Sequence, residues 1–173
     1  MRRTLVSLLL PLVVTTLPAA AQTAMTMSPP RFGAAFNALI SLPDDGFGLG
    51  LRGRASIPVN ADLSLALDLG GSGFILRGSR DATYVFEPQL SLIVNLPNSR
   101  FTTDKRFMYM IAGAGLYIPT GDEEAKGGPT IHGGLGWVMP LNETSFYYEI
   151  DPALVIAPDR VGLAIPFRVG LIF

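Results

Sequence analysis

The sequence has 173 residues and no cysteine. Disulfide bonds, thiolate metal sites and a thiol nucleophile are therefore excluded. Only 16% of the residues are charged, and no cluster of lysine and arginine is present. Nucleic-acid binding and a polybasic lipid-surface patch have no support, so we expect no nucleic-acid partner.

The N-terminus has the pattern of an export signal. Arg2 and Arg3 precede a short apolar core, and Ala19-Ala20-Ala21 offers a cleavage site before Gln22. An anchor helix or a buried helix is the alternative, but the apolar core is too short to span a bilayer comfortably. We expect residues 1–21 to be a signal peptide cleaved near Ala21, residues 22–30 a short N-terminal segment, and residues 31–173 a single domain.

Beyond that segment the sequence lacks any apolar run long enough for a membrane helix, yet the mean hydropathy is +0.38. Removing Arg2 and Arg3 from the 13 basic residues leaves 11 against 14 acidic ones, a net charge of about −3 with histidine neutral. A chain can be this apolar without membrane helices if its apolar residues alternate along many strands. Closed barrels of such strands satisfy every backbone group in lipid.

Alternation is clearest in the last segment, AIPFRVGLIF. Counting back from Phe173, every second residue to Val161 is apolar, and Arg168 lies on the other face. The same period of two, separated by turn residues, recurs in eight segments: 31–42, 47–57, 63–70, 83–96, 106–118, 130–139, 145–156 and 161–173. Both faces of 106–118 are apolar or small, so alternation does not assign its inner face.

Short links between these segments predict an all-β, eight-stranded antiparallel up-and-down barrel. A soluble barrel has the apolar face inside, whereas a membrane barrel has it outside. Here the polar face is rich in Gly, Ala and Ser, which suits a narrow lumen, and the apolar face is almost free of charge, which suits lipid. Aromatic residues near segment ends fit interfacial girdles, although a soluble barrel core is the alternative.

An even number of strands puts both termini on one side, expected to be the periplasm. Segments 42–46, 71–80, 119–129 and 157–160 would then lie outside the cell, and 58–62, 97–105 and 140–144 would be periplasmic turns. Two of the outer loops are short, which argues against a large adhesive surface.

Several motifs resemble the small outer-membrane β-barrel proteins of the OmpA, OmpX and OmpW kind. They are IAGAGLY at 111–117, GGLGW at 133–137 followed by PLNETSFYYE at 140–149, and a last strand ending in Phe173. The resemblance covers residues 31–173 and implies a bacterial outer-membrane location. It also implies that the outer-membrane assembly machinery reads the final strand, through Phe173 with Leu171 and Val169. The same barrel hosts different functions, so the resemblance does not define one.

Outward apolar faces place ten polar residues in the lumen: Arg52, Arg54, Asp68, Glu87, Gln89, His132, Tyr147, Glu149, Asp151 and Arg168. Because unpaired charge is costly in such an interior, we expect an ion-pair network that largely plugs the barrel. The alternative is a narrow solute path lined by arginines, of small conductance in so small a barrel.

We expect a structural or scaffold role, or a narrow small-solute path, without catalytic residues, metal or cofactor. The alternative is a lipid-modifying acyl hydrolase or transferase that uses His132, with Glu149 and Asp151 on the next strand. No serine-centred motif accompanies His132, and Asp122-Glu123-Glu124 has the character of a solvated loop rather than a calcium site. The expected partners are outer-membrane lipid and the assembly machinery, and we expect a monomer.

Overall fold

The computed structural model describes residues 29–42, 46–76, 84–97, 106–120, 127–158 and 161–173. The predicted signal peptide and the acidic loop at 122–124 lie outside these residues. Within them the chain forms nine strands: β1 (Arg31–Ser41), β2 (Gly46–Pro58), β3 (Leu63–Leu76), β4 (Tyr84–Asn95), β5 (Phe107–Thr120), β6 (Gly128–Pro140), β7 (Ser145–Ile150), β8 (Ala153–Ile156) and β9 (Val161–Ile172). No helix among the described residues is long and apolar enough to cross a membrane.

The nine strands form one closed antiparallel sheet. From β1 to β7 each strand pairs with the next one in sequence, β7 and β8 both pair with β9, and β1 pairs with β9 from Gly33↔Ile172 to Ser41↔Ala164. β7 and β8 both lie between β6 and β9, so they are successive parts of one crossing. The fold is therefore an eight-stranded up-and-down barrel, as predicted, and closure leaves no unpaired sheet edge.

Proline interrupts the seventh crossing, which the sequence predicted as one continuous strand. On the β6 side, pairing stops at Leu135↔Ile150 and resumes at His132↔Ala153. Two residues lie between these pairs on each strand, so the register does not shift. Pro152 lies in the gap and has no N–H to donate to a ladder.

Strand β3 is longer than predicted. The run from Gly70 to Gly73 was expected to end the strand and begin an outer loop, because glycine is unfavourable in strands. Instead β3 continues to Leu76. At Gly70 the missing side chain gives space to Arg52, since a Cβ there would lie 2.9 Å from the guanidinium. Gly70 therefore permits a large lumen side chain on the adjacent strand.

The two faces of the barrel differ as the alternation predicts. Large apolar residues are exposed on the outside, among them Phe36 at 76% and Leu51 at 63%. Strand β5, which the sequence left undecided, places Tyr109, Ile111 and Tyr117 in the interior.

An apolar cluster, here called the apolar cap, lies inside the barrel at the end where β1 leads to β2. Its members come from six of the eight crossings, all except β2 and β6: Leu39, Phe74, Val85, Tyr117, Val155 and Ala164. A hydrogen bond between the side-chain hydroxyls of Ser41 and Tyr117, whose oxygens are 3.0 Å apart, joins β1 to β5. These strands lie directly opposite each other in the barrel, so Tyr117 reaches across the lumen.

Candidate functional site: the charged lumen

The structure places all ten predicted lumen residues in the interior. Each is at most 5% exposed: Arg52, Arg54, Asp68, Glu87, Gln89, His132, Tyr147, Glu149, Asp151 and Arg168. They come from β2, β3, β4, β6, β7, β9 and the link between β7 and β8. Three guanidinium groups thus share the lumen with four carboxyl groups.

Glu149 is the centre of the network. Its carboxylate accepts two hydrogen bonds from the Arg54 guanidinium, at 2.9 and 3.1 Å, and one from the Tyr109 hydroxyl at 2.7 Å. It also accepts one from Arg168 Nη1 at 2.5 Å. A fully buried carboxylate needs several donors because it has lost its contact with bulk solvent.

Arg54 and Arg168 extend the network to other strands. Arg54 Nε donates to Asp68 at 2.8 Å, and its guanidinium lies 5.4 Å from the centre of the Tyr147 ring. Arg168 donates to Asp151 at 2.7 Å and across the lumen to Gln89 at 3.1 Å. β9 and β4 are opposite strands of the barrel, so the Arg168–Gln89 bond spans its width.

The contacts around Glu87, nearer the apolar cap, are longer. Arg52 Nη2 and Asn37 Nδ2 each lie 3.5 Å from Glu87 Oε2. Arg52 bonds more closely to Gln89, at 2.7 Å, and Asn37 to Ser72, at 2.9 Å. This part of the network is less tightly bonded than the Glu149 centre.

Some buried polar atoms of the described residues have no hydrogen-bond partner: Asn37 Oδ1, Arg52 Nε and Nη2, Asp68 Oδ2, Thr130 Oγ1, Tyr147 OH and Arg168 Nε. Several of these atoms belong to the residues around Glu87. Buried polar atoms are usually satisfied by protein or by internal water, so this region has the greatest unmet bonding capacity in the described lumen.

His132 lies between an acid and a hydroxyl. Its Nδ1 is 2.9 Å from Asp151 Oδ1, and its Nε2 is 3.4 Å from Ser91 Oγ. Asp151 is held on its other oxygen by Arg168. The sequence placed Glu149 beside His132 as well, but Glu149 bonds to arginines and tyrosine instead.

The ten predicted residues omit several others in the network. Tyr109 was missed because both faces of its strand are apolar or small. Alternation could have found three others, which are polar residues on the inner faces of β1, β3 and β4: Asn37, Ser72 and Ser91. For Ser72 this also required the full length of β3. No group of three or more His, Asp or Glu within the described segments is arranged to hold a metal ion.

The three residues of the predicted assembly signal lie on the outer face of the last strand. Phe173 is 62% exposed and Leu171 39%, and Val169 is partly exposed. The Phe173 amide donates to the Phe32 carbonyl at 2.7 Å, which joins this strand to β1. Recognition by the assembly machinery stays a prediction.

Similar solved structures share this architecture. Neisserial surface protein A matches with a TM-score of 0.64 and 14% identity, over 83% of this chain and 94% of that one. The N-terminal β-barrel domain of Pseudomonas aeruginosa OprF matches with a TM-score of 0.51 and 13% identity, over 83% and 97%. The chain has the fold of the small outer-membrane β-barrels.

A third barrel of this fold is Ail, the attachment invasion locus protein of Yersinia pestis, solved in complex with the heparin analogue sucrose octasulfate. It matches with a TM-score of 0.50 and 13% identity, over 83% of this chain and 96% of that one. By sequence, the chain matches no family model and no curated protein. At these identities the outer-membrane barrel fold is shared, and function has to be argued from the lumen.

Proposed function

We propose that the protein is a bacterial outer-membrane barrel with a structural role, whose lumen is closed by its own side chains. The expected signal peptide at 1–21, contact with outer-membrane lipid, recognition by the assembly machinery and a monomeric state belong to this proposal.

The bonds that span the lumen carry the proposal. Arg168–Gln89 and Ser41–Tyr117 each join opposite strands, at different positions along the barrel. The Glu149 centre adds a bond from β7 to Arg54 on β2. Because Arg54 and Arg168 are each within 3 Å of buried carboxylates, opening a path would separate buried ion pairs, which is costly.

The outer face supports the membrane location. It exposes large apolar side chains around the barrel, including Phe32, Leu67, Leu90, Ile131 and Leu154, each between 49% and 61% exposed. In water such a surface would aggregate, whereas lipid acyl chains solvate it. Trp137 stacks on Tyr148 at 5.2 Å near the strand ends, as expected of an interfacial aromatic belt.

Planar-bilayer recording of the refolded protein tests the closed lumen. We expect no reproducible conductance from the wild type. As a matched positive control, Tyr117→Ala combined with Arg168→Ala removes one residue of each lumen-spanning bond, and we expect channel events where this variant folds. Steady wild-type channels would contradict the proposal.

The narrow solute path is the alternative non-catalytic role. It would be supported by small wild-type channels whose ion selectivity changes on replacing Arg52 and Arg54 by neutral residues, since charged rings set pore selectivity. The lipid-modifying alternative has one specific observation in its favour, which is the position of His132 between Asp151 and Ser91.

A further inference from the structure

An arginine lies beside the aromatic residues at one end of the barrel. Arg106 immediately precedes β5 and donates from Nη1 to the Tyr148 hydroxyl on β7, at 3.3 Å. Strand β6 lies between these two strands, and its residue Trp137 is in register with Tyr148 and stacks on it at 5.2 Å. Tyr148 alternates with the inward residues Tyr147 and Glu149, so it points outward. The Arg106 side chain therefore crosses the outer face of β6.

The Arg106 guanidinium has no carboxylate partner in the part of the chain that the structure describes. Every ion pair between described residues belongs to the lumen network, whereas Arg106 is half-buried on the outside. Lys105 adjoins it in sequence and Asp104 precedes both, so segment 104–106 has a net positive charge. Among the described residues only Tyr148 accepts from this guanidinium, which leaves its other N–H groups for an anion.

The aromatic pair adds hydrogen-bonding groups of the kind that lie at the membrane–water boundary. The Tyr148 oxygen accepts from Arg106, so its own hydrogen is available to a second acceptor. Tyrosine and tryptophan rings are enriched at the level of lipid headgroups. A planar guanidinium can bind two oxygens of one phosphate at once. A lipid phosphate at this level would therefore accept from Arg106 and Tyr148 together.

The surface next to the aromatic pair, toward the middle of the strands, suits acyl chains. Met110, Leu135 and Ile150 are in register across β5, β6 and β7, two residues along the strands from Trp137 and Tyr148. Met110 is 49% exposed and Ile150 is 42% exposed. A lipid with its phosphate at the arginine would lay its acyl chains over this apolar row.

The geometry points to a binding site for the headgroup of an anionic phospholipid, formed by Arg106, Tyr148 and Trp137. The last strand ends on this side of the barrel, where Ser145 is in register with Ile172. We expect this end to face the periplasm, where the leaflet of the outer membrane consists of phospholipid rather than lipopolysaccharide. The inference rests on the proposed membrane location and adds a preferred lipid to it.

Quenching of tryptophan fluorescence by brominated lipids tests this site, because Trp137 is the single tryptophan. The protein is refolded in phosphatidylcholine vesicles that contain a small, fixed fraction of brominated phosphatidylglycerol or of brominated phosphatidylcholine with the same acyl chains. We expect the phosphatidylglycerol to occupy the site about fivefold more readily, which is the effect of one arginine beside an anionic lipid surface. Arg106→Gln should abolish this preference.

Arg31→Gln is the matched control. It removes an exposed arginine at the same end of the barrel, on β1, which is adjacent to none of the three strands of the site. This variant should keep the wild-type preference. Tyr148→Phe keeps a ring beside Trp137 but removes the hydroxyl, so the preference should fall without being lost. Equal losses of preference in the Arg31 and Arg106 variants would indicate attraction by the whole rim and would overturn the site.

The same measurement separates this inference from the proposed membrane location. Equal quenching of the wild type by the two brominated lipids would overturn the headgroup site, but it would leave Trp137 in contact with lipid and the membrane location intact. Absence of quenching by both lipids would contradict the membrane location itself, and the site with it.

Discussion

Replacing Glu149 by glutamine should destabilise the barrel strongly. The change keeps the size of the side chain but removes the negative charge of its carboxylate. This carboxylate accepts four hydrogen bonds, which come from Arg54, Arg168 and Tyr109. Breaking a buried ion pair by removing one partner costs about 3–5 kcal/mol. Arg54 still has its ion pair with Asp68 at 2.8 Å, and Arg168 still has an ion pair with another carboxylate. We therefore expect a loss of stability at the lower end of this range, about 3 kcal/mol.

Equilibrium unfolding in urea, with the barrel refolded in lipid vesicles, measures this loss. Trp137 is the single tryptophan and reports on the transition by fluorescence. With a slope of about 2 kcal/mol per molar urea, the midpoint should fall by about 1.5 M. Glu143→Gln, in the exposed link between β6 and β7, is the matched control and should leave the midpoint unchanged. Equal midpoints for the two variants would refute the role given to Glu149.

Two further pairs of variants and one single variant use the same unfolding assay. Tyr109→Phe should lower stability by about 1.5–3 kcal/mol because its hydroxyl bonds to a carboxylate at 2.7 Å, whereas Tyr147→Phe should change little because its hydroxyl has no partner in the described structure. Equal losses of stability in these two variants would contradict the hydrogen bond assigned to Tyr109. Gly113→Ala should cost about 1–3 kcal/mol by overpacking, while Gly53→Ala, where a Cβ meets nothing within 4 Å, should be tolerated. Leu51→Arg places a charge on the lipid face and should cost about 2–4 kcal/mol in vesicles; an unchanged midpoint would argue against lipid contact there.

Alternation predicted the fold and the inner face of most strands because lipid and lumen impose opposite demands on successive residues. Arg52 and Arg54 in β2 show this, since both are buried whereas Leu51 and Gly53 on the other face are exposed. The same rule left β5 undecided, because both of its faces are apolar or small. Small residues carry little information about facing, so Tyr109 could not be placed.

The partners within the lumen could not be predicted from the sequence. Arg54 and Glu149 are 95 residues apart and lie on β2 and β7, which are not neighbours in the sheet. Their meeting depends on the stagger of all eight crossings, which local patterns do not specify. The extension of β3 from Gly71 to Leu76 was missed because glycine is typical of turns. The Ser91–His132 contact likewise depends on Gly113 between them.

Thiol accessibility along β3 tests the central claim most directly, because the chain has no cysteine of its own. Leu67→Cys lies on the outer face, where the native residue is 51% exposed, and Ser72→Cys lies in the lumen, where it is 2% exposed. In vesicles, a lipid-soluble maleimide should label Leu67→Cys, and neither it nor a charged, water-soluble maleimide should label Ser72→Cys until the barrel is unfolded. Rapid labelling of Ser72→Cys by the water-soluble reagent in the folded state would contradict a closed lumen, and protection of Leu67→Cys from the lipid-soluble reagent would contradict the outward apolar face.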